Sequence, residues 1–384
     1  MKIIEDPRSI PGTLLAALLA TAAAACGGDD TPEDDDATSE DGTTSAIADT
    51  STDTATEASA DTGSTSDETT SDTTDGTETS DSSDTSSTGS EICEQDQLEL
   101  PGDDFYPEGT AYDPDGTLYV ASLATGAVVQ MIPCETDPEE LVAAGGPLRN
   151  PVGMIVDEAS DWLIVCDSDF SFTAPPSIDV LERRTGALVA THEFDSVGFC
   201  NDLAIDGDGN VYATDSAGAR VLRVRASDLM TDSPAESWAT DPDFVVGEGE
   251  FGLNGIAWDE ADGLYVVNSQ QGELHRITIE GSGDAGAITP IAIDGGPLQT
   301  PDGMKWTGGG ELLVIEGGLG ALSRVVLDGD AASVEVVANG FDFPTTFGLI
   351  GGQAWVAEGQ LDHFIGLDPE PPEPPFVVSR VALE

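Results

Sequence analysis

A short motif recurs six times between Pro107 and Gly359 of this 384-residue chain, always with the same order of features. Each copy begins with a small or polar doublet, continues through an apolar stretch to an Asp or Gly turn, and ends in a strand with a polar last residue. The copies are PEGTAYDPDGTLYVAS, PVGMIVDEASDWLIVCDS, CNDLAIDGDGNVYATDS, LNGIAWDEADGLYVVNS, PDGMKWTGGGELLVIEG and PTTFGLIGGQAWVAEG. The second residues of successive copies are 44, 49, 53, 48 and 43 positions apart.

Repeats of about 40 to 50 residues, built from short alternating strands without a convincing amphipathic helix, indicate a β-propeller with four-stranded blades. We therefore predict an all-β fold, a six-bladed β-propeller that occupies residues 93–384. A β-sandwich would not explain the constant register of the copies. We expect the last strand, within FVVSRVAL at residues 376–383, to close the ring beside a strand near Leu98.

The turns inside the copies contain the Asp and Gly residues that tight hairpins need. Asp206, Asp208 and Asn210 also resemble the start of an EF-hand loop, but Ala217 stands where the loop requires a bidentate Glu. We therefore predict a hairpin turn there. A polar residue ends the second strand of every copy and is expected to cap a turn: Ser122, Asp167, Asp215, Asn268, Glu316 and Glu358.

The second residues of the copies should form one ring around the propeller axis, since equivalent residues of successive blades are related by rotation about it. This ring is Glu108, Val152, Asn201, Asn254, Asp302 and Thr345. Two carboxylates and two amide carbonyls would offer four oxygen ligands, which suits a hard divalent cation and Ca²⁺ most readily. The alternative is that the ring is polar only because the channel contains water.

The copies resemble the SMP-30/gluconolactonase/LRE-like propellers, also called regucalcin-like. The resemblance covers residues 106–358, and its specific marks are PEG, ND, NG and PDGM. In that family a Glu, two Asn and an Asp, in this order, hold one divalent metal on the propeller axis. The resemblance therefore implies four metal ligands here, Glu108, Asn201, Asn254 and Asp302.

The family hydrolyses sugar lactones and related esters. The resemblance implies a metal that polarises the carbonyl and stabilises the oxyanion, while a carboxylate deprotonates the attacking water. Asp302 would be the general base as well as a ligand, and Asp202 would orient Asn201. No G-x-S-x-G motif suggests a covalent nucleophile. The three histidines lie outside the ring segments and are expected in packing or on the surface: His192, His275 and His363.

The chain also departs from the family pattern. Vertebrate-type members place an Arg near the middle-blade Asn, whereas Phe199 and Cys200 precede Asn201 here. Two functions therefore stay open. The first is a calcium-dependent lactone or ester hydrolase. The second is a non-catalytic propeller that binds a ligand or partner. Replacement of Asp302 distinguishes them, because only the hydrolase would lose turnover.

The N-terminus carries an apolar run at residues 13–25 that is too short to span a bilayer and is followed by Cys26. It predicts a secretory signal over residues 1–25. Small residues before a Cys resemble the bacterial lipobox, which implies lipidation of Cys26. The alternative is an ordinary cleaved signal. No Asp-type retention signal follows Cys26, so we expect an exported protein with a lipid anchor in the membrane of a bacterial envelope, the outer membrane in particular.

Residues 26–92 contain neither Lys, Arg nor aromatic residues, and they predict a disordered acidic tether rather than a metal-binding segment. Residues 93–384 by themselves hold 52 acidic against 10 basic residues. Nucleic-acid binding is excluded on that balance, because it requires neutralisation of phosphates by Lys and Arg. We expect a monomer that acts on a small-molecule lactone or ester.

Four cysteines remain after Cys26, and an even number in an exported chain suggests disulfides. They are Cys93, Cys134, Cys166 and Cys200. Three connectivities are possible, and the absence of a CxxC pair argues against zinc. Proximity in the repeat favours Cys93 with Cys134 and Cys166 with Cys200.

Overall fold

A computed structural model describes residues 95–247 and 249–383, which form a β-propeller. The predicted signal peptide, Cys26 and the acidic tether lie outside the described residues. The first strand is β1 (Gln97–Glu99), and it is the outermost strand of the last blade. The following strands form consecutive antiparallel meanders of four, which we number as blades in chain order.

Blades 1 and 2 contain β2 (Pro107–Tyr112), β3 (Leu118–Ser122), β4 (Val128–Met131), β5 (Glu139–Val142), β6 (Asn150–Asp157), β7 (Trp162–Ser168), β8 (Ser177–Glu182) and β9 (Leu188–Glu193). Blades 3 and 4 contain β10 (Cys200–Ile205), β11 (Val211–Asp215), β12 (Arg220–Val224), β13 (Glu236–Thr240), β14 (Leu253–Trp258), β15 (Gly263–Asn268), β16 (Glu273–Ile279) and β17 (Ala285–Ile293). Blade 5 contains β18 (Pro301–Gly308), β19 (Glu311–Glu316), β20 (Ala321–Asp328) and β21 (Ala331–Asn339), and blade 6 contains β22 (Pro344–Ile350), β23 (Gln353–Glu358), β24 (Val377–Ala382) and β1.

Helical structure in the described ranges is short. Two 3₁₀ helices span Pro242–Phe244 and Gly317–Leu319, and one α-helix, α1, spans Leu361–Phe364. Within residues 95–247 and 249–383, no helix has the length and apolar character needed to cross a membrane. The prediction of an all-β propeller with four-stranded blades is confirmed.

The blades are arranged cyclically. Their inner strands contact one another in the order β2, β6, β10, β14, β18 and β22, and β22 returns to β2. Blades 4 and 5 are also joined along their outer edges by a short parallel pairing of β17 with β21. At the closure, β1 pairs antiparallel with β24, with Leu98 opposite Val378, as the sequence predicted.

The core lies between the faces of neighbouring blades. One apolar cluster joins Leu118 of blade 1 to Trp355 of blade 6, and both side chains are fully buried. Alternating strands that are apolar on both faces suit this position, because each blade is covered on two sides. The packing fixes the inner strands, and therefore the ring positions, relative to one another.

Polar residues at the ends of the second strands hold the segments that lead into the inner strands. The Asp215 carboxylate accepts hydrogen bonds from the backbone N–H groups of Phe199 and Gly218, at 2.9 and 2.8 Å. In blade 5, Glu316 accepts from the N–H of Gln299 at 2.8 Å. The predicted capping role is confirmed at these positions, and it places each inner strand at a defined height on the axis.

Candidate active site

The ring residues all occupy irregular positions in their strands. Each inner strand shifts register relative to its neighbour at the second and third residues of its copy of the motif. The shifts lie between Pro107 and Thr110, Pro151 and Met154, Cys200 and Leu203, Leu253 and Ile256, Pro301 and Met304, and Pro344 and Phe347. A β-bulge re-aims the side chain that it carries. The ring side chains are therefore freed from the strict alternation that buries their neighbours between blades.

Neighbouring inner strands approach closely at these bulges. The third residue of the motif is glycine in four of the six copies. A Cβ on one of them, Gly109, would overlap the backbone carbonyl of Val152 in the next blade. A larger residue at this position reduces the space between the strands, so we expect its side chain to have a specific role. In blade 3 the position is Asp202, whose carboxylate is buried and accepts hydrogen bonds from the N–H groups of Leu203 and Ile256, at 2.9 and 3.3 Å.

A serine orients the amide of Asn201. The Asn201 Nδ2 donates to Ser216 Oγ at 3.0 Å, and Ser216 Oγ donates to the Leu253 carbonyl of blade 4 at 2.5 Å. The prediction that Asp202 orients Asn201 is therefore wrong, because the Asp202 carboxylate accepts from backbone N–H groups instead. Asp202 contributes its charge rather than an orienting contact.

Blade 4 repeats this arrangement. The Asn254 Nδ2 donates to Ser269 Oγ at 3.0 Å, and Ser269 Oγ donates to the Pro301 carbonyl of blade 5. The Asn254 Oδ1 is buried and has no hydrogen-bond partner. Because buried acceptors are normally paired, this orphaned oxygen is a ready ligand for a cation.

The carboxylates of blades 1, 3 and 5 are close enough to perturb one another. Desolvation by burial, followed by the charge of Asp202, raises the pKa of Asp302 to about 8. Hydrogen bonds from the Asn254 side chain and the Gly303 N–H act in the opposite direction. Burial, followed by the charges of Asp302 and Asp202, raises the pKa of Glu108 well above its usual value. These side chains therefore lie close enough at the axis for their charges to disfavour one another's ionisation.

Lys305 supplies positive charge that acts on this group of carboxylates. It is the only lysine in residues 93–384, and its charge opposes the rise in the pKa of Glu108 and of Asp202. Desolvation still dominates, so the pKa of Asp202 stays raised. The sequence analysis missed Lys305, although a signal existed, since the other copies have Ala, Ile or Gly at this register position.

Four of the six ring residues are thus suited to hold a cation, and two are not. Val152 is fully buried and apolar, and Thr345 Oγ1 donates to the backbone carbonyls of Pro107 and Glu108, at 3.2 Å each. Oxygen donors alone, with three carboxylates of raised pKa nearby, fit a hard divalent cation such as Ca²⁺. The assignment of Glu108, Asn201, Asn254 and Asp302 as metal ligands stays a prediction.

A cavity lies at the end of the channel away from the ring. It has a volume of about 460 Å³ and is lined by the later residues of the inner strands, among them Met154, Lys305 and Trp306. None of the four predicted ligands lines this cavity. The ring therefore divides the channel into this cavity and the mouth at which the inner strands begin.

The remaining predicted residues lie away from the ring. Cys166 and Cys200 form a disulfide, the pairing that the sequence analysis favoured. Cys134 is also disulfide-bonded, and Cys93 lies outside the described residues. The histidines lie outside the inner strands that carry the ring, in β9, β16 and α1: His192, His275 and His363. Asp206 accepts from the N–H groups of Asp208 and Asn210 at 2.9 Å each, which is the predicted hairpin turn.

Comparison with protein-family models gives a match over more than half of the chain. The model of the SMP-30/gluconolactonase/LRE-like region matches residues 134–354. The chain belongs to this family. A second model, the N-terminal region of strictosidine synthase-like proteins, matches residues 94–131. No curated protein sequence matches the chain.

Solved structures share the fold at low sequence identity. A gluconolactonase from Xanthomonas campestris has a TM-score of 0.51 and 18% identity, and the match covers 74% of this chain and 89% of that one. A calcium-binding regucalcin from Agrobacterium tumefaciens has a TM-score of 0.55 and 15% identity, over 76% and 95%. The allergen Mala s 1 of Malassezia sympodialis has a TM-score of 0.59 and 14% identity, over 75% and 96%. At these identities the likeness establishes the fold alone.

Proposed function

We propose that this family member is a divalent-cation-dependent hydrolase of lactones or related esters, with Ca²⁺ as the preferred cation. The observation that carries the proposal is the convergence of Glu108, Asp202 and Asp302 from three blades beside the orphaned Oδ1 of Asn254. A scaffold gains nothing from three buried carboxyl groups at its centre, because burial is costly for a charged carboxylate and otherwise forces it to keep a proton. A lactonase-type propeller is also what the family and its gluconolactonase neighbour support.

Glu108, Asn201, Asn254 and Asp302 would hold the cation through oxygen atoms. A bound divalent cation would supply Lewis-acid polarisation of the substrate carbonyl. Ser216 and Ser269 each accept a hydrogen bond from the Nδ2 of one of these asparagines, so the amides are held in place. Asp302 would accept a proton from the attacking water at its carboxylate oxygen.

The place of action follows from the N-terminal sequence. We propose export, lipidation at Cys26 and attachment to a bacterial outer membrane, with residues 26–92 as the spacer between lipid and propeller. The substrate would be a neutral small molecule that reaches a monomeric enzyme by diffusion. Nucleic acid is not a partner, because the folded part is strongly acidic.

The alternative is a propeller that binds a ligand or partner without turnover. The same fold occurs in a protein that is described as an allergen, so the fold does not by itself imply hydrolysis. The two functions differ in what they require of Asp302, and they can be separated by kinetics.

The test is hydrolysis of sugar and aliphatic lactones by residues 93–384, with Ca²⁺ or with EDTA. We expect turnover that needs Ca²⁺ and that falls by about 10²-fold or more in Asp302→Asn, because the base and a ligand charge are both lost. The exposed Asp294→Asn is the matched control for charge removal and should keep full activity. Folded wild type that binds Ca²⁺ but hydrolyses no lactone would favour the binding propeller.

A further inference from the structure

Six aromatic side chains stand beside the ring at the mouth of the channel. We define this aromatic crescent as Tyr106, Phe170, Phe172, Phe199, Phe251 and Phe364. Adjacent rings contact one another, with centroids 5.1 Å apart for Tyr106 and Phe364, 5.4 Å for Phe364 and Phe170, 5.0 Å for Phe170 and Phe199, and 4.9 Å for Phe199 and Phe251. Phe172 packs 6.3 Å from both Phe199 and Phe251. The contacts form one continuous wall from blade 6 to the segment that enters blade 4.

The crescent is continuous with the ring. Tyr106 and Phe199 each lie two residues before a predicted metal ligand, Glu108 and Asn201. Val152, the apolar ring residue, belongs to the same packed cluster as the crescent. A substrate whose carbonyl approached the ring carboxylates would therefore place its substituent against this wall.

The crescent is held in place by polar contacts behind it. The Asp169 carboxylate accepts hydrogen bonds from the N–H groups of Ser171, Thr173 and Ala174, at 2.9, 3.0 and 2.9 Å. Desolvation raises its pKa, but hydrogen bonds from the side chains and N–H groups of this loop, the Ser171 hydroxyl first, hold the pKa below its usual range. The loop that presents Phe170 and Phe172 is therefore pre-formed. Phe170 and Phe172 both remain partly exposed. Pre-organisation of this kind lowers the entropy cost of binding.

The crescent itself offers little to a charged or polyhydroxylated ligand. Tyr106 is the one crescent member with a polar group. Arg149, the basic residue beside the Phe170 loop, is paired with Asp167 at 3.0 Å and donates to the Pro175 carbonyl at 3.1 Å. Because residues 93–384 hold 52 acidic against 10 basic residues, an anionic substrate would also be repelled at long range.

We propose that the aromatic crescent binds the apolar substituent of a neutral lactone or ester, so that aryl- or alkyl-substituted substrates are preferred to sugar lactones. This inference rests on the proposed function, and it specifies the substrate class for the same site. The carbonyl faces the ring, and the substituent packs on Phe170 and Phe364. Burial of one phenyl group against such a wall should improve kcat/KM by about 10-fold or more.

The experiment compares γ-phenyl-γ-butyrolactone, γ-butyrolactone and D-glucono-δ-lactone as substrates of residues 93–384 with Ca²⁺. We expect Phe170→Ala and Phe364→Ala to lower kcat/KM about 10-fold for the phenyl lactone, mainly through KM, and to leave γ-butyrolactone unchanged. Trp306→Leu, in the cavity at the opposite end of the channel, is the matched control and should alter neither. A cooperative thermal unfolding transition establishes that each variant is folded. If Phe170→Ala does not fold, Phe170→Leu replaces it as the milder substitution.

A binding measurement separates the two levels of the proposal. Saturation-transfer NMR with γ-phenyl-γ-butyrolactone in EDTA reports contact with the phenyl ring without turnover, and the signal should disappear in Phe170→Ala. Turnover of all three lactones without preference for the phenyl lactone, or a preference for the sugar lactone, overturns the inference and leaves the hydrolase standing. Phenyl contact without any turnover supports the crescent as a binding site and overturns the hydrolase. The absence of both overturns both.

Discussion

Ser216 and Ser269 each hold the side-chain amide of one ring asparagine. Each serine accepts a hydrogen bond from the Nδ2 of its own blade and donates to the first carbonyl of the next inner strand. An amide nitrogen that donates to a fixed serine has a defined side-chain orientation. The serines thus hold both amides in place, while the Asn254 side chain also donates to Asp302 and its Oδ1 has no partner.

We predict that Ser216→Ala and Ser269→Ala each weaken Ca²⁺ binding by about 10- to 100-fold, because contacts that orient a ligand typically contribute that much. Isothermal titration calorimetry measures the change. Ser168→Ala is the matched control. Ser168 also donates to the next blade, to the Cys200 carbonyl at 2.9 Å, but its own blade has Val152 in the ring. An equal loss of affinity in the control would assign the serines to blade docking alone.

At the scale of single residues, the sequence predicted those candidate ligands whose side-chain type is itself typical of a metal ligand. Glu108, Asn201, Asn254 and Asp302 could be found because carboxylates and amides stand in one register of the repeat. Asp202 was found but given the wrong role. The two serines were missed because their function depends on which residue faces them across a hairpin, and this needs the exact register at the bulge.

The bulged start of the inner strand is the element that makes a site possible. In blade 1, the register shift between Pro107 and Thr110 turns Glu108 out of the alternating pattern. The following glycine allows the next inner strand to come close enough for ring residues to interact. A regular strand would return Glu108 to the interface between blades.

We predict that Gly109→Ala lowers the free energy of unfolding by about 1–3 kcal/mol, because its Cβ would overlap the Val152 carbonyl and overpacking typically costs that much. Urea unfolding followed by tryptophan fluorescence measures it. Gly281→Ala is the control, since no atom lies within 4 Å of a Cβ there. If both variants unfold like the wild type, the inner strands are not in close contact at the bulge.

The repeat predicted strands and hairpins well because their signal is local, an alternation of residue types that ends in an Asp or Gly turn. It did not predict α1 or the aromatic crescent. Phe170 and Phe364 are 194 positions apart in sequence, and their contact arises only when the blades close into a ring. Such long-range contacts have no periodic signal in a single sequence.

The whole molecule is closed by its first strand. Gln97–Glu99 adds the outermost strand to blade 6, and Leu98 and Leu100 are buried against the cluster shared by blades 6 and 1. The Leu100 N–H donates to the Phe376 carbonyl at 2.7 Å. Closure therefore joins the two ends of the domain, and it should be needed for the ring to keep its dimensions.

We predict that Leu98→Ala and Leu100→Ala each destabilise the propeller by at least about 2 kcal/mol, the lower range for buried leucines. Glu99→Ala, on the exposed face of the same strand, should change the unfolding midpoint little. Both are measured by chemical denaturation. A Ca²⁺ affinity that falls in the leucine variants but not in Glu99→Ala would further show that closure maintains the ring.

Stability of the whole molecule should depend on pH through the ring. Asp302 has a pKa of about 8 in the fold against 3.8 normally, so between these values the folded, calcium-free protein keeps a proton that the unfolded chain has released. The folded state then binds more protons, and stability must fall as pH rises through this window. The raised pKa values of Glu108 and Asp202 act in the same direction.

We therefore predict that the calcium-free unfolding temperature falls between about pH 5 and about pH 8, and that saturating Ca²⁺ raises it most at the upper end, where the cation competes with fewer protons. Scanning calorimetry with EDTA or Ca²⁺ measures both. The general negative charge of the protein also favours unfolding at high pH, so the slope is compared with that of Asp302→Asn, whose amide does not titrate. The variant should show a flatter slope and a smaller gain from Ca²⁺. Identical slopes would mean that Asp302 keeps its ordinary pKa, and the charge cluster that supports the metal centre would then have no energetic basis.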